Sequence, residues 1–230
     1  MQFLNIMDNK KQRDAFLEYE ADAWFNRNKE VWLNYSKDSD PVINLIKDYN
    51  LNPEHVLEIA CSAGYRLNAV RHLFPDCAVF GIEPSQQAIN YGREHFSGVN
   101  FTHGTADDLT NFQDGSMDII IVGFVLYVID RSIFFKVVSE IDRVLKNGGI
   151  LIIIDFFSET VLKNVYQHIP EFTAFSFKQN YDEVFTASKL YYLLDKSTRN
   201  HSEKKLDASE NYYDKYSVCL LKKDISASYK

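Results

Sequence analysis

The spacing of apolar residues changes near residue 55 and again near residue 155, which divides the sequence into three parts. Residues 1–50 are polar with isolated aromatic residues, and they predict one or two helices that end at Asp40-Pro41, followed by a further helix. Between 55 and 155, short apolar runs alternate with stretches of helical periodicity. The remainder is less regular, and residues 156–185, with eight aromatic residues, predict an inserted cap segment rather than a separate domain.

The apolar runs of the middle part are nearly continuous, whereas a sheet with one solvent-exposed face shows strict alternation. Continuous runs are typical of parallel strands that helices cover on both faces, so the pattern predicts an α/β fold with a doubly wound, mostly parallel sheet. The predicted strands are 56–60, 78–82, 99–102, 117–122 and 150–155, with two further hairpin or edge strands at 190–197 and 216–222. The strongest amphipathic helix begins at Ile133 and is predicted to end at Asn147-Gly148-Gly149.

Composition limits the classes of partner. The 230 residues suffice for one α/β domain with additions, and 25 Lys and Arg against 32 Asp and Glu give a net charge of -7. Such a surface has no bulk attraction for nucleic acid or for an anionic membrane. The first residues lack a signal-peptide core and no apolar run is long enough for a bilayer, so we expect a cytoplasmic protein. Cys61, Cys77 and Cys219 include no CxxC pair, so neither a disulfide framework nor a metal site is expected.

The loop after the first predicted strand carries the first candidate chemistry, because open parallel sheets bind ligands beyond the carboxyl ends of their strands. A dinucleotide-binding loop there has the form G-x-G-x-x-G, and of the expected glycines this loop keeps only Gly64. The loop therefore disfavours NAD and suits a ligand without a pyrophosphate, contacted by small side chains and backbone amides.

Two carboxylates end the first two strands. Glu83 lies nineteen residues after Gly64, where a carboxylate can accept hydrogen bonds from both ribose hydroxyls of an adenosine. The alternative is that Glu83 only caps the next helix, for which Ser85 is also a candidate. Glu58 would be costly to bury alone, so an ammonium group or a ring of loop amides must lie beside it, unless it only holds the loop.

Five motifs follow one another at set intervals and together resemble the class I S-adenosylmethionine-dependent methyltransferases. They are V-L-E-I-A-C-S-A-G (56–64), G-I-E-P-S (81–85), G-T-A-D-D-L (104–109), D-G-S-M-D-I-I (114–120) and R-V-L-K-N-G-G-I-L (143–151). The resemblance covers roughly 55–155. The family's usual first loop is E-x-G-C-G-x-G, and this sequence departs from it at Ala60 and Ser62.

The resemblance implies a Rossmann-like sheet of seven strands, the last one antiparallel, in a single domain with S-adenosylmethionine as cofactor and S-adenosylhomocysteine as product. An N-terminal helical lid would span 1–50, the cofactor-binding core 51–155, and a substrate cap with the C-terminal strands 156–230. The implied cofactor contacts are Glu58, Ala60, Cys61, Ser62 and Gly64 at the methionine part, Glu83 at the ribose, Pro84, Ser85, Ala106 and Asp107 at the adenine, and Gly123 and Phe124 beneath the sulfonium.

A looser resemblance concerns G-F-V-L-Y-V-I-D-R (123–131), W-F-N-R-N (24–28) and Asp155-Phe156-Phe157. Together they are similar to bacterial methyltransferases of surface-sugar or related small-metabolite biosynthesis. The similarity implies a small-molecule acceptor, such as a sugar or sugar nucleotide of polysaccharide biosynthesis, and makes Trp24, Arg27 and Asn28 lid contacts. Arg27 could pair with the cofactor carboxylate. The alternative is a surface helix with two buried tryptophans.

Methyl transfer to a hydroxyl benefits from a general base, whereas a free amine needs none. The candidates on the relevant loops are Asp155, His103, His168 and Tyr127. A nucleic-acid substrate is disfavoured by the net charge, and by the lack of an Asn/Asp-Pro-Pro-aromatic turn after the fourth strand and of a Pro-Cys pair. We expect a monomer or homodimer that binds no membrane. A non-catalytic cofactor-binding protein and an NAD-dependent oxidoreductase remain alternatives.

Overall fold

A seven-stranded sheet forms the centre of the structure, a computed structural model that describes residues 12–203, 205–209 and 211–226. In chain order the strands are β1 (His55–Ile59), β2 (Ala78–Glu83), β3 (Val99–His103), β4 (Met117–Gly123), β5 (Leu145–Phe156), β6 (Leu162–Val165), β7 (Phe175–Lys178), β8 (Tyr191–Asn200) and β9 (Lys215–Lys223). The large sheet has the order β3-β2-β1-β4-β5-β9-β8, and β6 pairs with β7 in a separate hairpin. β1 to β5 are parallel and β9 runs antiparallel to both its neighbours. The predicted fold class is therefore confirmed.

Helices cover both faces of this sheet. The α-helices are α1 (Gln12–Ala15), α2 (Ala21–Arg27), α3 (Lys29–Leu33), α4 (Pro41–Asp48), α5 (Tyr65–Leu73), α6 (Gln86–His95), α7 (Phe134–Val144) and α8 (Asp182–Thr186). A π-helical turn, Phe16–Glu20, joins α1 to α2, and a 3-10 turn, Leu126–Val128, follows β4. No helix in the described part of the chain has the length and apolar content that crossing a membrane requires.

Successive residues of each central strand face opposite layers, which explains the continuous apolar runs. Leu57 lies on the face that packs with Ile141 of α7. Val56, the residue before it, lies on the opposite face and packs with Ile43 of α4 and Val70 of α5. All five of these side chains are 0% exposed. Burial on both faces fixes the register, because a slip of one residue would exchange the two layers.

The amphipathic helix α7 ends earlier than predicted. Its last residue is Val144, and Asn147-Gly148-Gly149 lies inside β5 rather than ending the helix. The reason is tertiary: Leu145 is 1% exposed and pairs with Met117 of β4, so the chain turns into the sheet at once. The Lys223 ammonium donates to the backbone oxygen of Leu145 at 3.1 Å and so satisfies a carbonyl at the helix end.

The N-terminal helices lie across the carboxyl ends of the parallel strands. The Gln12 amide donates to the Val128 carbonyl after β4 at 2.6 Å, and Arg13 donates to Asp107 after β3 at 2.9 Å. The Asp22 carboxylate accepts from Ser85 Oγ after β2 at 2.6 Å. Three loops at the edge where ligands are expected are thus bound by one helical segment. The first eleven residues of the predicted lid lie outside the described residues.

The cap expected at 156–185 consists of the β6–β7 hairpin and α8. The Gln12 side chain connects the hairpin to the N-terminal helix, since it donates to the Phe175 carbonyl at 2.8 Å and accepts from the Phe175 amide at 2.8 Å. Cap and N-terminal helix therefore hold each other above the sheet edge.

Candidate active site

The loop between β1 and α5 has an unusual backbone. Ala60 has φ of 60°, Ser62 of 50° and Gly64 of 80°, so every second residue is left-handed. This region costs a residue with a Cβ roughly 1–2 kcal/mol. At Gly64 a Cβ would also lie 2.6 Å from the Phe101 ring, so glycine is required there on both grounds. The loop turns tightly enough for its amides to reach the end of β2, where Ala60 donates to the Ile82 carbonyl at 2.9 Å and Ser62 to the Glu83 carboxylate at 2.8 Å.

Replacing Ala60 by glycine should relieve this strain. Ala60 is only half-buried, so little packing is lost, and we expect Ala60→Gly to raise the free energy of unfolding by about 0.5–1 kcal/mol after the entropy cost of glycine. The measurement is urea unfolding followed by circular dichroism. The matched control is Ala63→Gly, which removes a methyl group that is 0% exposed and should destabilise the protein. Equal destabilisation by both variants would contradict the strain at position 60.

A buried ionic network supports the end of β1. Glu58 is 2% exposed, and Arg66 on α5 donates to Glu58 Oε1 and, through Nε at 2.8 Å, to Asp40 Oδ2. Asp40 also caps α4 by accepting from the Val42 amide at 2.8 Å. Burial raises the pKa of Glu58 to about 7, although the Arg66 cation opposes the shift. Glu58 Oε2 is buried and has no hydrogen-bond partner among the described residues.

Arg66 was not among the sequence-predicted site residues. The signal was present, because a buried acid needs a cation and Arg66 lies in the first turn of the next helix. Its side chain also explains why a glycine lies at position 123, at the end of β4. A Cβ there would lie 3.2 Å from an Arg66 guanidinium nitrogen. The structure thus places Gly123 beside the Glu58–Arg66 pair.

Glu83 at the end of β2 binds two loops at once. Its Oε2 accepts from the Ser62 amide at 2.8 Å and its Oε1 from the Ser85 amide at 2.9 Å. Burial raises the pKa of Glu83 to about 7, and the two amide donors oppose that shift. Ser62 Oγ, in the same loop, is buried without a partner among the described residues. Ser85 caps α6 through the Ala88 amide at 3.0 Å, as predicted.

Neither Cys61 nor Pro84 offers a reactive side chain to a ligand. A Cβ on Gly81 of β2 would lie 2.4 Å from Cys61 Sγ, so the thiol packs directly on that strand. Burial raises the pKa of the Cys61 thiol well above its usual range, which makes it inert. The Pro84 carbonyl accepts from His103 Nε2 at 2.8 Å. At these two positions the described contacts leave mainly backbone atoms for a ligand.

The loop after β3 places Ala106 and Asp107 in buried positions, 4% and 5% exposed. Asp107 Oδ1 accepts from Thr105 Oγ1 at 2.7 Å and from Arg13 Nε at 2.9 Å, and Lys136 lies 3.4 Å from Oδ2. Burial acts to raise the pKa of Asp107, but these donors outweigh it and lower the pKa. The carboxylate is therefore ionised, and Oδ2 has the weaker of its protein contacts.

The lid residues have protein partners of their own. Both terminal nitrogens of Arg27 bind Glu20, one of them at 2.5 Å, and Glu20 also accepts from Tyr166 of the cap at 2.6 Å. Asn28 Nδ2 donates to the Trp24 carbonyl at 2.9 Å. The alternative of two buried tryptophans does not hold, because Trp32 is buried and Trp24 is only half-buried.

The four candidate bases do not converge on one point. Asp155 is 1% exposed, and its carboxylate accepts from the backbone amides of Val125 at 3.1 Å and Leu126 at 2.8 Å. Burial raises its pKa to about 7 against these donors. His103 ends β3, four strands away from β5, which is about 19 Å at the usual strand spacing. His103 and Asp155 cannot serve the same reacting atom.

The other two candidates lie near the cap. Tyr127 follows β4, and its ring packs edge-on against Phe156 with the centroids 4.9 Å apart. Burial raises the pKa of Tyr127, so its hydroxyl stays protonated at neutral pH. His168 is exposed in the turn between β6 and β7, where its ring meets that of Tyr166 at 5.3 Å.

An aromatic cluster lies beyond the carboxyl ends of β4 and β5, and we call it the edge cluster. Its members are Phe124, Tyr127, Phe156, His201 and Tyr216. Phe124, next to Gly123, has φ of 50° and meets Phe156 at 5.4 Å, His201 at 5.2 Å and Tyr216 at 5.6 Å between ring centroids. A left-handed non-glycine residue at such a place is typical of functional sites. His201 was missed because its segment was interpreted only as a hairpin connection.

The arrangement agrees with one family. Residues 57–153 match a family model described as a methyltransferase domain, and they contain the strained loop, both strand-end glutamates and the β4 end. This part of the chain is therefore similar to methyltransferase domains. The predicted family is thereby confirmed for this part of the chain.

The curated relatives match the domain at low identity. The ubiquinone/menaquinone biosynthesis C-methyltransferase UbiE of Campylobacter jejuni is 30% identical over 107 residues, which is 44% of this chain and 44% of the relative. The demethylmenaquinone methyltransferase of Listeria monocytogenes is 32% identical over 107 residues, again 44% of each chain. The chain thus spans less than half the length of the curated relatives it matches.

A solved structure extends the likeness in fold. The 1,6-didemethyltoxoflavin-N1-methyltransferase of Burkholderia thailandensis, whose structure holds 1,6-didemethyltoxoflavin and S-adenosylhomocysteine, superposes with a TM-score of 0.71 at 13% identity. The superposition covers 93% of this chain and 89% of that one. The likeness in fold therefore extends well beyond the matched methyltransferase domain. Most of the edge cluster also lies outside that domain.

Proposed function

We propose that this protein is an S-adenosylmethionine-dependent methyltransferase acting on a small molecule. The observation that carries the proposal is Glu58 Oε2, a buried carboxylate oxygen without a partner among the described residues, at the carboxyl end of β1. A buried, unpaired carboxylate oxygen is costly unless a cation or donor meets it. The ammonium group of a methionine moiety is such a partner, and the strained loop follows β1 directly after this carboxylate.

The residues present fit the rest of the cofactor. Glu83 would accept the ribose hydroxyls with lone pairs that the Ser62 and Ser85 amides leave unused, and Ser62 Oγ is a further donor or acceptor without a partner among the described residues. Asp107 Oδ2 would accept from the adenine amine, beside Ala106. The remaining proposed contacts to the cofactor are made by backbone atoms or apolar surface, at Ala60, Cys61, Gly64, Pro84, Ser85, Gly123 and Phe124.

The N-terminal helices would close over the cofactor as a lid. Trp24, Arg27 and Asn28 lie on the segment that binds the loops after β2, β3 and β4. In the described structure Arg27 is paired with Glu20, so a contact between Arg27 and the cofactor carboxylate requires that the guanidinium shares or exchanges this partner.

When bound, S-adenosylmethionine supplies an electrophilic methyl group on a positively charged sulfur. The protein's own contribution is alignment and exclusion of water, because the positive charge disperses during the reaction and needs no strong counter-charge. Asp155 acts here as a positioning residue, since its carboxylate holds the amides of Val125 and Leu126 directly after Phe124. Cap and lid shield the site from water.

Two acceptor classes fit the edge cluster. The similarity to surface-sugar enzymes favours a sugar or sugar nucleotide of polysaccharide biosynthesis, whose apolar ring face can lie on an aromatic side chain. The names of the curated relatives favour a quinone ring, which would stack on the same rings. Transfer of labelled methyl groups to a panel containing both classes separates them, and methylation of neither would favour a non-catalytic cofactor-binding protein.

Calorimetric titration tests the proposed function. We expect S-adenosylhomocysteine to bind with a dissociation constant in the range of about 1–100 μM, and NAD not to bind, because the loop lacks the glycines that let a backbone approach a pyrophosphate. Binding of NAD without binding of S-adenosylhomocysteine would overturn the proposal in favour of an oxidoreductase.

The affinity for S-adenosylhomocysteine should depend on pH. Glu83 and Glu58 have pKa values of about 7 in the unliganded protein, and each is expected to bind the ligand in its ionised form. Affinity is therefore full above pH 8 and is lost as the pH falls through 7, by about tenfold per pH unit for each group below its pKa. Calorimetry between pH 5.5 and 8.5 measures this, and Glu58→Gln should flatten the profile. An affinity that rises on acidification would contradict these roles.

A further inference from the structure

His201 is in ring contact with three other members of the edge cluster. It lies directly after β8, in the connection to β9, and its backbone amide donates to the Asp214 carbonyl at 2.6 Å. Its ring is 5.2 Å from Phe124, 5.2 Å from Phe156 and 5.8 Å from Tyr216 between centroids. The imidazole thus touches the residues that end β4, β5 and begin β9, while the residue as a whole is exposed.

The position matters because Phe124 immediately follows Gly123, whose Cα lies against the Glu58–Arg66 pair. Only Gly123 therefore separates Phe124 of the edge cluster from the proposed methionine-binding carboxylate in space. Among the described histidines, His201 is the one in ring contact with Phe124.

The other candidate bases are less suited. The Asp155 carboxylate is occupied by backbone amides, and burial keeps the Tyr127 hydroxyl protonated. His103 lies four strands from β5, about 19 Å away. His168 contacts Tyr166 in an exposed turn of the cap, and none of its ring contacts reaches Phe124.

We propose that His201 is a catalytic residue that receives the proton of a hydroxyl acceptor bound against the edge cluster. The inference rests on the proposed methyltransferase function and goes beyond it by naming the acceptor chemistry. The acceptor oxygen forms the bond to the methyl carbon, its O–H bond breaks, and the proton passes to an imidazole nitrogen. The electrons of the carbon–sulfur bond leave with the sulfur, so charge and atoms balance without a further reactant.

Charged groups lie near the edge cluster on several neighbouring elements. Lys178 of β7 lies 4.7 Å above the Phe156 ring, Arg199 of β8 is two residues away, and the Asp214 carboxylate accepts from the Ser202 amide at 3.1 Å.

The test measures the imidazole titration with labelled histidine and needs no acceptor. The His201 signal, among six histidines, is assigned by its loss in His201→Gln. Because a positive sulfonium disfavours a nearby imidazolium, we expect the His201 pKa to be lower by about half a unit or more with S-adenosylmethionine than with S-adenosylhomocysteine. The His103 and His168 signals, as internal controls, should differ by less than about 0.2 units.

Equal His201 titration in the two complexes would overturn the proposal while leaving cofactor binding intact. Binding of neither compound would instead refute the proposed function itself. A second measurement guards against a merely structural role: His201→Gln should keep the affinity for S-adenosylhomocysteine within about twofold. A loss of more than about tenfold would assign His201 to cofactor binding and would also overturn the proposal.

Discussion

Arg66→Met is expected to lower the free energy of unfolding by about 3–5 kcal/mol, the usual cost of removing one partner from a buried ionic network. The guanidinium bridges Glu58, 2% exposed, and Asp40, 5% exposed, and neither carboxylate has another cation among the described ion pairs. A methionine of similar length fills the space but leaves both acids uncompensated. Urea or thermal unfolding measures the loss.

The same change should weaken binding of S-adenosylhomocysteine at pH 7 by about tenfold. Without the Arg66 cation the pKa of Glu58 rises further, so less of the carboxylate is ionised to meet an ammonium group. The matched control is Arg71→Met on the same helix, which breaks no described ion pair and should cost less than about 1 kcal/mol. Comparable destabilisation by Arg66→Met and Arg71→Met would show that the network contributes nothing beyond packing.

Glu83→Ala is expected to weaken binding of S-adenosylhomocysteine by at least about 100-fold. Hydrogen bonds to an ionised group contribute about 1.5–3 kcal/mol each, and two ribose hydroxyls would lose their acceptor. The change also leaves the amides of Ser62 and Ser85 without their carboxylate, so the unfolding free energy should fall by about 2 kcal/mol. Calorimetry and unfolding measurements on the same sample separate the two effects.

Asp118→Ala is the matched control. It also leaves two backbone amides without their carboxylate, but at the opposite end of the parallel strands. Asp118 opens β4 and accepts from the backbone amides of Glu54 at 2.8 Å and His55 at 2.7 Å. This variant should lose similar stability and keep its affinity for S-adenosylhomocysteine within about twofold. If the two variants weaken binding equally, Glu83 acts only by holding loops and the ribose role is wrong.

The sheet was predictable because its signals are local. Continuous apolar runs such as Ile119–Val122 indicate burial on both faces, and the strand-to-helix alternation then leaves few topologies. The positions of Glu58 and Glu83 at strand ends followed from the same pattern. The end of α7 was mispredicted because its chain signal, Asn147-Gly148-Gly149, is weaker than the pairing of Leu145 with Met117.

The sequence by itself determined the layered α/β fold, the edge of the sheet where a ligand is expected and the family that its central part resembles. All three depend on the period and order of residues near one another in the chain. Only the tertiary structure decided which charges and rings meet there. Arg66 reaches back to Glu58 and Asp40, and His201 reaches Phe124 across 77 residues of chain, because strand order rather than chain distance sets these contacts. A pattern of apolar spacing carries no record of such long-range contacts, since it encodes which face is buried but not what lies opposite.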